Sequence, residues 1–471
     1  MKEISVDVAV LGAGTAGLAA YRAAVAAGSR AVIVEGGAYG TTCARVGCMP
    51  SKLLIAAAEA AHGVERWDAF GLRLDGTMRV DGRAVMARVK RERDRFVGFV
   101  LEGVERIPAA DRLRGHARFE SDRSLTVGRH TRVRFGHAVI ATGSRPNVLP
   151  FLRAAGDRLV VNDDVFDWDD LPRSAAVFGP GVIGLELGQA LARLGVRVRM
   201  FGKGGFVGPF SDPAVRDYAR DAFRHEFWLD PDADVRGIER TPDGVAVRFV
   251  DGGDEHVETV DFVVAATGRA PNVDDIGLEN TSVARDARGV PLFDRATLQC
   301  GASPIFIVGD ANNELTLLHE AADEGRIAGE NAARSPDVRP GHRRAPLGIV
   351  FSDPQLAVVG TRFADLPAGA FVTGEVSFED QGRSRVMLRN RGLLHVYAGA
   401  RTGEFLGAEL IGPDAEHLAH LLAWARQLKL TVPQMLELPF YHPVVEEGLR
   451  TALRDAAAKL GEVRPDIRRA A

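Results

Sequence analysis

Cysteine is scarce in this chain: three residues among 471, at Cys43, Cys48 and Cys300. So few exclude the disulfide framework of a secreted scaffold and fit a cytoplasmic protein whose cysteines do chemistry or hold a metal. Excess charge is also lacking. Lys and Arg number 59 against 63 for Asp and Glu, a formal net charge of -4, which argues against a nucleic-acid surface. No apolar run approaches the ~18 residues that a membrane-spanning helix needs. A strand pattern begins at Ile4, which leaves no space for a signal peptide. The expectation is therefore a cytoplasmic protein with neither a membrane nor a nucleic-acid partner. Hydrophobic residues at 46% and charged residues at 26% are ordinary for a globular chain, and the length predicts two to four domains.

What the sequence does have is an internal duplication. Val6 to Leu11 reads as a strand, Gly12-Ala13-Gly14-Thr15-Ala16-Gly17 as a tight turn, Leu18 to Ala27 as a helix, and Ala31 to Val34 as a second strand ending in Glu35. The plan returns with strand Ala175 to Phe178, turn Gly179-Pro180-Gly181-Val182-Ile183-Gly184, helix Leu185 to Leu194 and strand Val196 to Phe201. A glycine-rich turn between strand and helix lets phosphate approach backbone N–H groups at the positive helix end, so the repeat predicts two nucleotide sites. Residues 55–110 read as helical and charged, with mixed signs that mark a solvated face. Short strands follow over 113–140, and Ile305 to Val308 leads into Gly309-Asp310. Beyond Pro346, strands at 349–359, 371–378, 393–400 and 405–411 precede helices, a separate C-terminal domain.

Glu35 stands at the offset from Gly17 where an acidic residue bonds the nucleotide ribose. The same offset from Gly184 falls on Gly202, followed by Lys203. Glycine removes both the ribose contact and the repulsion of a 2′-phosphate, and Lys203 either meets that phosphate or is a plain surface lysine. NAD and NADP both remain open.

Cys43 and Cys48 lie in Gly40-Thr41-Thr42-Cys43-Ala44-Arg45-Val46-Gly47-Cys48-Met49-Pro50-Ser51-Lys52. In a regular helix, Cα atoms five residues apart are about 8–9 Å apart, whereas a disulfide needs roughly 7 Å or less. The segment must leave regular helix if the two bond, and Gly47 is the natural place. A zinc site finds no second cysteine pair, and His62 cannot complete one alone; two unrelated thiols remain an alternative. Cys300 reads as a packing or surface thiol. Exchange chemistry needs a thiolate and hence a base. His442 in Phe440-Tyr441-His442-Pro443-Val444-Val445-Glu446-Glu447 is the candidate, with a carboxylate to hold its tautomer.

Taken together, the first glycine turn with Glu35, the Gly40 to Lys52 segment, Ala141-Thr142-Gly143, the second turn, Ala266-Thr267-Gly268, Gly309-Asp310 and His442-Pro443 to Glu447 resemble the pyridine nucleotide-disulfide oxidoreductases. Within them the chain is most like the group containing dihydrolipoyl dehydrogenase and glutathione reductase, and the resemblance covers essentially the full length. It implies an α/β fold with two Rossmann-like nucleotide-binding domains, for FAD and NAD(P), and a C-terminal α+β dimerisation domain. The implied divisions are 1–150 for FAD and the redox cysteines, 151–272 for NAD(P), 273–345 as a central domain completing the FAD site, and 346–471 as the interface domain of a homodimer. FAD would lie on Gly12, Gly14, Gly17 and Glu35, with Ala117, Thr142, Gly143 and Asp310 in contact. The pyridine nucleotide, NAD(H) or NADP(H), would lie on Gly179, Gly181 and Gly184 with Lys203, and Thr42, Ser144, Gly268 and Leu318 complete the cofactor set. Lys52 and Glu186 match an ion pair beside the flavin's reactive nitrogen. Cys43 would exchange with substrate and Cys48 face the flavin, while His442, held by Glu447, would come from the other subunit.

The resemblance implies electron transfer between dihydrolipoyl groups, on a small dithiol or a lipoyl domain, and NAD(P) through the Cys43–Cys48 disulfide and FAD. The runner-up is an NADPH-dependent reductase of another low-molecular-weight disulfide, which Gly202-Lys203, Arg22 and Arg326 favour. Both arginines read equally as helix-face residues. Tyr441 and Val444 depart from the family, which commonly has alanine and threonine there. A redox sensor, or a flavoprotein with vestigial cysteines, is the expectation of a different class.

Overall fold

A computed structural model describes residues 1–463; the end of the expected 346–471 interface domain, 464–471, lies outside the described residues. The chain opens with β1 (Lys2–Leu11), α1 (Thr15–Ala26), β2 (Ala31–Glu35), α2 (Thr42–Val46), α3 (Cys48–Gly63) and α4 (Gly82–Glu105). Next come β3 (Arg112–Arg114), β4 (Ala117–Ser121), β5 (Ser124–Val127), β6 (Thr131–Ile140), β7 (Ser144–Pro146), β8 (Leu159–Val161) and α5 (Asn162–Val165). The second repeat supplies β9 (Ser174–Phe178), α6 (Val182–Arg193), β10 (Arg197–Phe201), α7 (Pro213–Arg224) and β11 (Trp228–Asp230). It continues through β12 (Asp234–Thr241), β13 (Gly244–Asp251), β14 (Asp254–Val260), β15 (Phe262–Ala265) and β16 (Arg269–Pro271) to β17 (Ile305–Ile307) and α8 (Leu318–Arg334). The C-terminal part has β18 (Leu347–Val350), β19 (Gln355–Gly360), β20 (Phe371–Ser377), α9 (Gly382–Val386), β21 (Leu393–Gly399), β22 (Phe405–Gly412), α10 (Ala415–Gln427), α11 (Val432–Leu436) and α12 (Glu446–Val463).

Two compact units result. The first gathers Met1–Pro50, Lys90–Asn147 and Arg269–Arg344. Its sheet runs β3-β2-β1-β6-β5-β4, with β17 also paired to β6. Strands β3, β2, β1, β6 and β17 are parallel, and the register Leu11↔Val34 and Leu11↔Ile140 brings three carboxyl ends level. Ligands of open α/β sheets bind at such ends, where the strand order reverses. Strand β2 is buried along Ala31–Val34 because sheet neighbours and helices cover it, so its run is uniformly apolar rather than alternating.

The second unit holds Ser51–Val89, Val148–Gly268 and the chain from Ala345 on. A parallel sheet, β11-β10-β9-β15-β8, repeats the first plan, flanked by the antiparallel ladder β12-β13-β14. Leu54 and Met86 pack with Val177, Leu185, Met200 and Phe223 in its core. The C-terminal sheet, β18-β19-β22-β21-β20, is antiparallel, and Leu394, Val396 and Leu410 bury one face against Leu418, Leu422 and Leu453 of the helices.

Three local expectations change. α-Helix does not run through 55–110: it stops at Gly63, short 3-10 turns follow over Val64–Arg66 and Asp68–Phe70, and it resumes at Gly82, with Gly71 (φ +76°) and Gly76 (φ +119°) turning the chain between. The strand expected at 349–359 is two, β18 and β19, broken around Asp353-Pro354, where proline has no N–H for a ladder. The β12–β14 ladder, its strands joined by tight turns, went unread in the sequence.

Candidate active site

Each glycine of the first turn has a separate task. Gly12 sits at φ +106°, and a Cβ there would stand 2.3 Å from the Ala141 carbonyl oxygen; one on Gly17 would stand 1.9 Å from the Gly12 oxygen. Gly14 has nothing within 4 Å of such an atom, so its backbone lies open at the start of α1. Tight turn, open approach and close helix packing are the three demands of a diphosphate-binding turn. Gly179 (φ +106°, 2.4 Å from Ala266 O), Gly181 (open) and Gly184 (1.9 Å from Gly179 O) repeat them. The duplication read in the sequence is thus a duplication of backbone geometry.

A cavity of about 530 Å³ opens on the first turn, lined by Gly12, Gly14, Glu35, Thr42, Ala117, Thr142, Gly143 and Ser144 among others. Glu35 closes one wall: Ala13 N–H donates to its Oε2 (2.8 Å) and Gly37 N–H to its Oε1 (2.6 Å). The Thr142 hydroxyl is buried among the described residues without a hydrogen-bond partner, and a buried polar group in that condition calls for a ligand or water. Gly143, at φ +69°, adds open backbone. Volume, bare glycine backbone and an orphaned hydroxyl together fit a dinucleotide such as FAD. Asp310 reaches this wall through Ser144, whose hydroxyl donates to Asp310 Oδ2 (2.6 Å); Arg269 holds the same serine at 2.7 Å. Gly17 lies behind the turn, and Leu318 is exposed as the first residue of α8, outside the cavity lining.

The redox segment departs from helix where expected. Helix α2 carries Cys43 and ends at Val46, Gly47 adopts φ -128°, ψ -115°, and α3 starts at Cys48. A Cβ on Gly47 would lie 3.1 Å from Thr42 O and 3.3 Å from Cys43 Cα, so the bend brings this residue back onto the preceding turn. Cys43 is half-buried and Cys48 exposed. Cys48 opens a 16-residue helix, where the helix dipole favours a thiolate. Cys300 is buried, and burial pushes its thiol up to about 12. It is chemically inert beside the other two.

Lys52, one turn on in α3, donates to both oxygens of Glu186 (2.9 and 2.8 Å), so the expected ion pair is present within the second unit. Phe351 N–H (3.0 Å) and Ser51 Oγ (3.3 Å) complete that carboxylate's shell, and the ammonium lies 4.5 Å over the Phe351 ring. His442 is 81% exposed, with Nδ1 3.0 Å from Glu447 Oε2. Burial opposes the charge of Glu447, but Val444 N–H, His442 and Arg450 prevail and hold its carboxyl below the usual range. The histidine is thereby oriented at Nδ1, and its side chain is largely exposed.

Just after β10, Gly202 is favoured by packing: a Cβ would stand 2.5 Å from Pro231 O. A carboxylate at the ribose position would require the Pro231 backbone to shift. Lys203, 86% exposed, pairs with Asp232 Oδ1 at 3.3 Å, the surface-lysine reading. Gly268 (φ +93°) has open space around it. Arg326 pairs with Glu330 one turn along α8 (3.0 Å), and Arg22 is exposed on α1; the structure gives both the helix-face reading.

Several site residues escaped the sequence. Arg45 and His116 line the cavity, and Arg145 joins them, bound to Asp274 at 3.0 and 2.6 Å. Glu324, fully buried in α8, accepts Gly309 N–H (2.7 Å) and Asn312 Nδ2 (2.8 Å) and so holds the turn bearing Asp310. Only a buried acid one face away from that turn could have signalled it.

Comparison with known proteins agrees with this geometry. Residues 6–325 match the family described as pyridine nucleotide-disulphide oxidoreductase, and residues 347–453 match that family's dimerisation domain. Dihydrolipoyl dehydrogenase 2 of Haloarcula marismortui is 29% identical over 97% of this chain and 97% of its own. Mercuric reductase of Acidithiobacillus ferrooxidans is 29% identical over 94% of this chain and 81% of its own. The HOCl-induced flavoprotein disulfide reductase RclA of Escherichia coli shares the fold, with TM-score 0.81 at 22% identity, over 97% of this chain and 99% of that one. Among the described residues no helix is long and apolar enough to cross a membrane.

Proposed function

The chain belongs to the pyridine nucleotide-disulphide oxidoreductase family, flavin-dependent enzymes that use FAD and NAD(P), and from that premise we propose that it acts as a dihydrolipoyl dehydrogenase. The observation that carries the reading is the redox segment: two cysteines around a broken helix, the second at the start of α3. Several relatives of similar length are dihydrolipoyl dehydrogenases. We place the reaction in the cytoplasm, where a cysteine pair cycles rather than locks.

His442, oriented by Glu447, takes a proton from one thiol of the dihydrolipoyl group. The thiolate attacks Cys43 of the Cys43–Cys48 disulfide, so a substrate S–Cys43 bond forms and the Cys43–Cys48 bond breaks, leaving Cys48 as thiolate at the positive end of α3. The second substrate thiol displaces Cys43 and its proton passes to the departing Cys43 sulfur; the lipoyl disulfide closes, and the reduced cysteine pair retains two electrons with one proton on Cys43 and one on His442. FAD, when bound, supplies the two-electron relay from cysteine to nicotinamide. Gly12, Gly14, Glu35, Thr142 and Gly143 would hold it, with Asp310 placed by Ser144. Lys52 and Glu186 keep one fixed charge pair, and Gly179, Gly181 and Gly184 would receive the diphosphate of NAD(P).

We assign His442 to its partner's active site in a homodimer, supported by its exposure and by the dimerisation domain in which it lies. Neither subunit alone would then hold a complete site. Gly202, where an acid would require the Pro231 backbone to shift, favours the second reading, an NADPH-dependent reductase of another small disulfide. Steady-state assay of dihydrolipoamide with NAD and NADP, and of glutathione disulfide with NADH and NADPH, separates the two. No turnover of dihydrolipoamide with either nucleotide would reject the first.

A further inference from the structure

Among the described residues, the FAD cavity contains one cationic side chain with no partner. Its lining acids are occupied. Glu35 accepts Ala13 and Gly37 N–H groups. Asp274 takes both arms of Arg145, and Asp275 stands beside the His116 ring. Arg45 also lines the cavity; its backbone N–H donates to the Thr41 carbonyl (3.2 Å), but among the described residues its guanidinium forms no ion pair or hydrogen bond. Its position follows from α2. Thr41, Thr42 and Arg45 fall three and four residues apart, on one side of that helix, and all three line the cavity; Ala44, on another side, is buried. The Arg45 stem is fixed. A Cβ on Gly40 would lie 2.9 Å from Arg45 Cδ and 3.0 Å from Val97 Cγ1, so the methylenes run between the Gly40 turn and α4.

We propose that Arg45 binds the diphosphate of FAD and in doing so ties the redox segment to the cofactor. The diphosphate is the group that the open Gly14 backbone receives at the start of α1, in the same cavity. A dianion there needs more than a helix end. A guanidinium with five donors in a planar fork suits phosphate oxygens, and charge-assisted bonds of this kind are the strong ones. Arg45 lies between Cys43 and Cys48 in sequence, on the helix that carries Cys43. Cofactor binding therefore draws on the same five-residue helix that presents the reactive thiol. The proposal rests on the family's use of FAD and adds a residue that the glycine fingerprint does not contain.

The test uses full-length apoprotein and titrates FAD by flavin fluorescence at low and high salt, with ADP and adenosine as competitors. Arg45→Met keeps the packed stem and removes the charge; Arg45→Lys restores a point charge. Arg45→Met should weaken FAD and ADP by about tenfold or more, leave adenosine unchanged and flatten the salt dependence, with Arg45→Lys recovering part of the loss. Unchanged FAD affinity in Arg45→Met overturns the proposal, as does an equal loss for adenosine, which would mark a merely structural effect. Should the unmodified apoprotein bind no FAD, the cofactor assignment itself falls, an outcome distinct from an Arg45 variant that binds as well as the parent.

Discussion

Reactivity at the residue scale depends on where each thiol sits. Burial pushes Cys300 up to about 12, whereas Cys48 is exposed at a helix N-terminus. After mild reduction, iodoacetamide should label Cys43 and Cys48 in the folded protein and reach Cys300 only in denaturant, which peptide mass mapping reads; fast labelling of Cys300 would contradict this. His442→Ala should lower kcat/KM by about 10²–10⁴-fold. Glu447→Gln should lower it by at least about tenfold, because the ring loses its orienting carboxylate while its nitrogens remain. Glu35 was legible in the sequence because a fixed offset from the turn specifies it. Arg45, Arg145 and Glu324 were not, since their significance comes from a cavity wall and a loop assembled from distant segments.

At the scale of elements, the two glycine turns were the best-read part of the chain, because turn chemistry is local. Their glycines should separate by task. Gly17→Ala sets a methyl against the Gly12 carbonyl oxygen and should cost about 1–3 kcal/mol or more in urea unfolding. Gly14→Ala meets no atom, so the apoprotein should unfold within about 0.5 kcal/mol of the parent while FAD binding weakens. The split at Pro354 was lost for the opposite reason, since a short turn inside an apolar run leaves the hydrophobic pattern unbroken, and the β12–β14 ladder because its charged, scarcely buried outer strands carry little apolar signal. A buried network also went unread. Asp212 caps α7 and accepts from Tyr397 (3.0 Å), with His395 Nδ1 at 2.7 Å. Burial raises that carboxyl, yet His395 and Tyr397 outweigh it and hold it below its ordinary 3.8. A depressed folded value gives stability that is present above 3.8 and lost as pH falls from there through the folded value. Asp212→Asn should therefore be less stable at neutral pH and show a shallower decline below about pH 4; an unchanged acid slope would contradict this.

At the scale of the whole molecule, two nucleotide turns, one redox segment and the proposed partner-site role of His442 belong together. The order of these parts along the chain was visible in the sequence; the folding of discontinuous segments into two units was not, because helices α3 and α4 run on through two of the unit boundaries without any change of pattern. If sites are shared, Cys48→Ser and His442→Ala chains, each inactive alone, should regain activity when unfolded together and refolded. Random pairing makes half the dimers mixed, each with one complete site of two, so about a quarter of parental activity should return. No recovery would place the histidine in its own subunit's site.

The most direct measurement is dihydrolipoamide-driven reduction of NAD or NADP, followed by nicotinamide absorbance, in the FAD-loaded parent and in Cys48→Ser side by side. Turnover is expected in the parent and its loss in the variant, whose Cys43 can no longer close a disulfide. Equal turnover in both, or none in the parent with either nucleotide, would contradict it.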